Sequence, residues 1–489
     1  MTASLEERLL PLFIMLIASM ISAVIPIYAL RRRRLNFQQD IIFISFWFQT
    51  WIYLHLVPTL NVMFPESAFA FPLLSEGLRA VRFTEHVCSW YAFFQIVCIA
   101  LFYIPMMWVY LSRIRSRERS RDIRAGAGRI SRRRLFALSL IYSGFSVMAI
   151  YVAVQNNSLS SYAELMTVET MLGGQVATWQ YYLYRLYLLN GTFLTIIIVV
   201  SLYEYIRQAR ASKMAIICAA LPGLICQAVW IFSRSRALLV FTLVLVGIVL
   251  IRRGDMAISR RKLALGVILA LVVIYLFSVI IKMRGFVLDP EFTWMRIGDA
   301  LNPFYNAEQH NPLITSNYGM RLDGLEMMAL SFPQMLDKGF VLGKMYLLSI
   351  LSPLLNFVPG IKMQLLQGHG MIDFRMEFIR LYVGLDYADY AMNGLTDIFA
   401  ALGLLGFCVA GVTYALLFAF INRRLAPWRS SVSFIIGLFV LCQVYSFEVA
   451  FATLPFGWVK SLPVLLVILV IYSYKAADGR ASMGKQLEE

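Results

Sequence analysis

The sequence predicts an all-α polytopic membrane protein with about eleven transmembrane helices (11-12) and one large external loop. Three observations carry this reading. The 489 residues are 60% hydrophobic, with a mean hydropathy of +0.70. Apolar runs near 20 residues recur along the chain, and about 20 residues of helix cross a hydrocarbon layer roughly 30 Å thick. The basic residues fall in alternate loops, as an oriented bundle requires.

The apolar runs cover roughly residues 9–30, 41–63, 89–111, 135–155, 179–205, 214–232, 237–251, 263–281, 394–421, 432–451 and 461–474. With Arg31–Arg34 placed in the cytoplasm, alternation brings 28 of the 44 Lys and Arg residues to that side. Residues 156–177, on the opposite side, carry none. The N-terminus is therefore expected outside and the C-terminus inside. The net charge of +16 is an orientation signal on this reading. The Arg-rich stretch "SRIRSRERSRDIRAGAGRISRRR" reads as a cytoplasmic loop drawn to anionic lipid, with no nucleic acid partner expected. The first apolar run is longer than the core of a signal peptide and lacks a small-residue cleavage site. The six cysteines lie in or beside apolar segments without CxxC spacing, so they read as small core residues.

Three regions follow: an N-terminal bundle of about eight helices over residues 1–281, a periplasmic loop over 282–392, and C-terminal helices with a cytoplasmic tail over 393–489. The loop holds 9 basic and 11 acidic residues, so it is charge-balanced rather than a basic patch. Within it, Met345–Gly360 is interrupted by Pro353 and reads as a helix on the external interface.

The stretch "WIFSRSRALLV" places Arg234 and Arg236 in an external turn between the sixth and seventh helices, flanked by Ser233 and Ser235. Charge at that depth is tolerated where it lines a protein or water cavity. Guanidinium groups present a planar fork of donors matched to phosphate oxygens, and a helix start nearby adds free N–H groups. The two arginines are thus candidate diphosphate ligands, with lipid headgroups or a loop carboxylate as alternative partners. Arg284, Arg296, Arg321, Arg375 and Arg380 are further loop cations. "GHGMIDFRMEFIR" sets His369, Asp373 and Glu377 close to two of them, which could pair a phosphate binder with a general base or form a salt-bridge network. His55 and His86 stand alone near helix ends and read as structural.

The residues at this point resemble the O-antigen polymerases and ligases. "SRSRALLV" looks like their "SRGALL"-type stretch. "MNGLTDIFAALGLLG" gives Asn393, Gly403 and Gly406 at the spacing of the family's Asn and Gly-x-x-Gly, and Asp397 is similar to an acid of some polymerases. Met392 stands where ligases carry His, which tilts the resemblance toward a polymerase. The resemblance implies a GT-C-like bundle and glycosyl transfer from undecaprenyl diphosphate at the periplasmic face of the bacterial inner membrane. It implies undecaprenyl-diphosphate-linked oligosaccharides, membrane lipid and a chain-length regulator protein as partners. No cofactor is expected, because the leaving group is already an activated diphosphate, and no carboxylate pair is placed to hold a metal. Diphosphate binding would fall to Arg234, Arg236, Arg284, Arg321, Arg375 and Arg380, and proton transfer to Glu377, His369 or Asp397. An O-antigen ligase remains open, as does a lipid-linked oligosaccharide flippase. A flippase would be expected to carry ionisable groups along the bundle midplane. A transferase using polyprenyl monophosphate sugars would be expected to carry an acidic pair in its first external loop, where Glu66, Glu76 and Glu85 stand apart.

Overall fold

The computed structural model describes residues 4–32, 34–63, 84–115, 132–155, 178–208, 213–234, 236–252, 323–339, 393–425, 431–445 and 454–473, with Ile268, Val272, Phe378, Leu381 and Tyr382 besides. Among these residues every regular element is helical. Among the described residues five helices are long and apolar enough to cross a membrane, and a sixth span follows if one bent helix is counted. Their outer faces are apolar: Leu10, Phe13, Met20, Trp108 and Leu405 are all more than 60% exposed. Surfaces of that kind suit lipid rather than water. The chain is a helical membrane protein.

Helix α1 (Leu5–Arg31) opens with a capping box: Ser4 Oγ accepts from Glu7 N–H, and Glu7 returns a carboxylate oxygen to Ser4 N–H. Pro26 lies inside it and has no N–H, so the carbonyl of Ser22, four residues earlier, loses its partner. Trp47 fills the gap from the next helix, donating through Nε1 at 3.0 Å. One turn on, Trp51 Nε1 donates to the Ser19 carbonyl at 2.9 Å.

Helix α2 (Phe37–Met63) and helix α3 (Glu85–Ile114) each contain a π-helical turn, Ile52–Leu56 and Cys98–Tyr103. Such turns insert one residue and rotate the side chains beyond it, and they gather at functional sites. At the opposite end of α2, Asp40 is buried and accepts from Asn36 N–H and from the Tyr110 hydroxyl; Asn422 donates to the same hydroxyl.

Helix α4 (Arg132–Gln155) packs against α6 (Met214–Arg234) around Pro222 and Gly223. Ser143 Oγ bridges the α6 ladder, accepting from Gly223 N–H and donating to the Ala219 carbonyl. A side chain at 223 would meet the Tyr142 ring at 2.6 Å, so glycine sets the approach. Helix α5 (Thr178–Gln208) bends by 55° between its Trp179–Leu188 and Asn190–Arg207 parts. Asn190, at the bend, turns its amide back onto the Leu186 carbonyl. Helix α7 (Arg236–Arg252) follows α6.

Two segments depart from the expected layout. The run 394–421, read as a single span, is broken into α9 (Gly394–Leu402) and α10 (Leu405–Phe420) at Gly403, whose φ of 60° and ψ of −146° end the helix. Windowed hydropathy has no means of registering that break, since Gly403 and Leu404 do not lower it. The large loop, moreover, is partly core: α8 (Glu326–Lys338) buries Met327, Met328, Phe332 and Met335. Phe332 sits among the rings of Trp90, Phe94 and Phe399, with centroids 4.8, 5.3 and 5.8 Å away. Helices α11 (Ser431–Val444) and α12 (Leu454–Ser473) complete the described chain. The interfacial helix expected at Met345–Gly360 and most of the span expected at 263–281 lie outside the described residues.

Candidate functional site

The starts of α8 and α9 meet at the ends of α2 and α3, and side chains from all four elements close the junction. Asp323 stands two residues before Leu325, the N-cap of α8, and its Oδ1 accepts from Leu325 N–H at 3.0 Å and Glu326 N–H at 3.1 Å, so it serves the two N–H groups that open the helix. Its Oδ2 accepts from Asn61 Nδ2 at 2.7 Å and from the Tyr91 hydroxyl at 3.0 Å. One carboxylate thereby holds the loop helix, α2 and α3 together while 3% exposed. Burial pushes its pKa up from 3.8 to about 6, and the four donors pull in the other direction.

Gly324 is clamped from both sides. Its N–H donates to the Tyr53 carbonyl in the π turn of α2 at 2.8 Å. Its carbonyl accepts from Asn393 Nδ2 at 2.7 Å. A Cβ here would lie 2.8 Å from that amide nitrogen and 3.0 Å from the Tyr53 oxygen, so the segments approach this closely only because residue 324 has no side chain.

Asn393 does two jobs. Its Nδ2 ties α9 to α8, and its Oδ1 caps α9 by accepting from Leu395 and Thr396 N–H at 2.9 and 3.0 Å. Ten residues on, Gly403 N–H closes the helix onto the Phe399 carbonyl at 2.7 Å. A Cβ on Gly406 would stand 2.5 Å from the Ile398 carbonyl oxygen, so α10 can start only against the bare backbone of α9. The Asn–Gly–Gly spacing is therefore cap, terminator and close contact of one short buried helix.

Among the residues singled out by sequence, Asp397 is well described. It lies in the first turn of α9, 1% exposed, facing the interior. Arg234 is the last residue of α6 and Arg236 the first of α7, so the junction is tighter than the four-residue turn expected over 233–236. The side chains of both arginines, and Arg284, Arg321, Arg375, Arg380, Glu377 and His369 as a whole, lie outside the described residues. Beside two of them, Phe378 and Tyr382 are buried. The Tyr382 hydroxyl donates to the Gly339 carbonyl at 3.0 Å, and Lys338 Nζ donates to the Leu381 carbonyl at 2.8 Å. The far end of α8 is thus fastened to the loop stretch that contains Arg380.

Sequence reasoning passed over Asp323, although "DGLE" carries the signature of a helix start, an acid followed three residues later by Glu. Asn61 and Tyr91 offered no such signal. Deeper in the bundle, His55 is fully buried in the π turn of α2, its ring 5.4 Å from that of Tyr103. Its carbonyl accepts from Thr59 Oγ1 and Gln95 Nε2. Among the described residues no group of three or more His, Cys, Asp or Glu side chains could hold a metal ion. No family model, no curated protein and no solved structure matches the chain.

Proposed function

We propose that the chain is a polysaccharide polymerase that transfers a growing glycan from undecaprenyl diphosphate onto a lipid-linked repeat unit at the periplasmic face of the bacterial inner membrane. The observation that carries this reading is the geometry at Asn393, Gly403 and Gly406. The residues that resemble the polymerase and ligase family in spacing are joined physically, as the cap, end and close contact of one buried helix. Through Asn393 that helix is tied to Gly324 in the large loop, where the family resemblance puts the reaction. The proposal includes the eleven-span layout with the N-terminus outside, a GT-C-like bundle, and a multi-pass location in the inner membrane.

The chemistry asks little beyond what the sequence holds. The anomeric C–O bond to the diphosphate breaks, and its electron pair leaves with the phosphate oxygen. A hydroxyl of the incoming unit forms the new glycosidic bond and gives up its proton to a base. Arg234 and Arg236, with the loop arginines 284, 321, 375 and 380, would stabilise the departing diphosphate in a site shielded from water. His369 and Glu377 are favoured as the base over Asp397, whose interior position keeps it from an incoming sugar. The ligase reading shares this chemistry, but Met392 stands where ligases carry His.

The test is genetic and chemical together. Loss of the gene should leave surface glycan capped at single repeat units. Removal of all glycan from the lipid A core would identify a ligase, and failure to deliver any repeat unit to the periplasm a flippase. Arg234→Ala and Arg236→Ala should each abolish long chains while the protein stays in the membrane; normal chain lengths would refute their role.

A further inference from the structure

The end of α1 that carries "RRRR" bears an apolar groove of about 370 Å³, lined by Met20, Ile21, Val24, Ile25 and Tyr28. Four of these are 47% exposed or more, so nothing in the described bundle covers them. At the mouth of the groove Arg32 lies over the Tyr28 ring, 5.4 Å from its centroid, and donates from Nε to the Tyr28 hydroxyl at 3.2 Å. Arg31 and Arg34 are exposed beside it. A cation therefore stands, held by an aromatic ring, directly above an apolar channel.

From Met20 to Tyr28 the helix rises about 12 Å. Half of a hydrocarbon core is roughly 15 Å. The groove thus runs the depth of one leaflet and stops, as one acyl chain does, and its charged mouth falls where that lipid's headgroup would be. The three exposed arginines at its mouth would repel a second copy of the same basic end and suit an anionic headgroup instead.

We propose that this groove is a binding site for an anionic phospholipid of the adjacent leaflet, with the phosphate between Arg31 and Arg32 and one acyl chain along Met20–Tyr28. The Tyr28–Arg32 stack pre-orients the guanidinium before the lipid arrives, so less side-chain freedom is lost on binding. The site is independent of the glycosyl-transfer reading, and requires only that α1 lie in a bilayer.

The experiment uses the full-length protein extracted in mild detergent and exposed to phosphatidylglycerol or phosphatidylcholine, with lipid retention read by native mass spectrometry. The wild-type protein should hold one phosphatidylglycerol in preference to phosphatidylcholine. Arg31→Gln with Arg32→Gln should reduce that preference about fivefold for each charge removed. Val24→Trp, which fills the groove and leaves every arginine in place, should release the lipid equally. Loss in the arginine variant with full retention in Val24→Trp would mean surface attraction alone and overturn the site. Equal retention of both lipids by the wild type would overturn it as well, and so would a change of oligomeric state in Val24→Trp, which would assign the groove to a protein partner.

Discussion

Asn393 donates a hydrogen bond of 2.7 Å to the carbonyl of Gly324, 69 residues earlier in the chain, while its other side-chain atom caps the helix that Asn393 begins. One amide thus fixes where α9 starts and where the large loop meets the membrane bundle. A carboxylate could serve only the cap, and a methyl group neither.

Replacing this amide separates its two tasks. Asn393→Asp keeps the cap, since Asp is as good an acceptor, but loses the donor to Gly324 and sets two oxygens against each other. Asn393→Ala loses both. The expected costs are about 1–2 kcal/mol for Asp and about 2–4 kcal/mol for Ala. Thermal unfolding in detergent, paired with limited proteolysis around residues 323–339, should report that order; equal stability of Asn393→Ala and wild type would dismiss the contact.

At Asp323 the sign of the pH effect follows from burial. Its pKa in the folded protein, about 6, lies above the ordinary 3.8. Its contribution to stability is therefore complete below pH about 4 and is lost as pH rises through about 6, on the order of 2–3 kcal/mol. Asp323→Asn removes the titrating group while keeping an oxygen for Leu325 and Glu326 N–H. The Oδ1 of Asn61 has no hydrogen-bond partner among the described residues, so a flip of the Asn61 amide would let it accept from the new side chain. Unfolding curves from pH 4 to pH 7 should slope for the wild type and lie flatter for Asp323→Asn. Asp323→Ala, with four donors stranded, should be the least stable of the three.

The glycines of α9 and α10 should differ from glycines elsewhere in a measurable way. Gly406→Ala drives a methyl to 2.5 Å from the Ile398 oxygen, and Gly403→Ala places a side chain at φ 60°, ψ −146°. Each is expected to cost about 1–3 kcal/mol. At Gly247, within α7, an added methyl would find nothing within 4 Å, so Gly247→Ala should be neutral or stabilise by up to about 1 kcal/mol. A stability series on the three variants checks the contrast directly.

Trp47 and Pro26 should be coupled. Trp47→Phe strands the Ser22 carbonyl that Pro26 leaves open, at a cost of about 1–3 kcal/mol. With Pro26→Ala, residue 26 regains an N–H for that carbonyl, and the penalty of Trp47→Phe should shrink by about 1 kcal/mol. A double-mutant cycle on unfolding free energies measures this coupling, and strict additivity would show that the indole bond does not answer the proline.

The class of the molecule was legible in its sequence because hydropathy is a local property. A run of about 20 apolar residues commits itself to lipid whatever its neighbours do. The caps at Ser4, Asn36 and Asn393 are equally local, each made within three residues, although hydropathy alone marked only the apolar runs that follow them. Asn393, Gly403 and Gly406 stood out by spacing, but nothing in the spacing said that the group is a broken helix. The tertiary structure decided the rest. Asp323 could be read as a cap, yet its bonds to Asn61 and Tyr91 cross 262 and 232 residues, and no local pattern encodes them. Asp397 faces the interior because the rotation of α9 is set by Asn393 and Gly406 rather than by its own composition. In the π turn at Ile52–Leu56 the Tyr53 and His55 carbonyls accept from Gly324 N–H and Gln95 Nε2, partners that only the packed bundle brings near. Burial is decided one segment at a time; hydrogen bonds between distant segments exist only once the segments have packed.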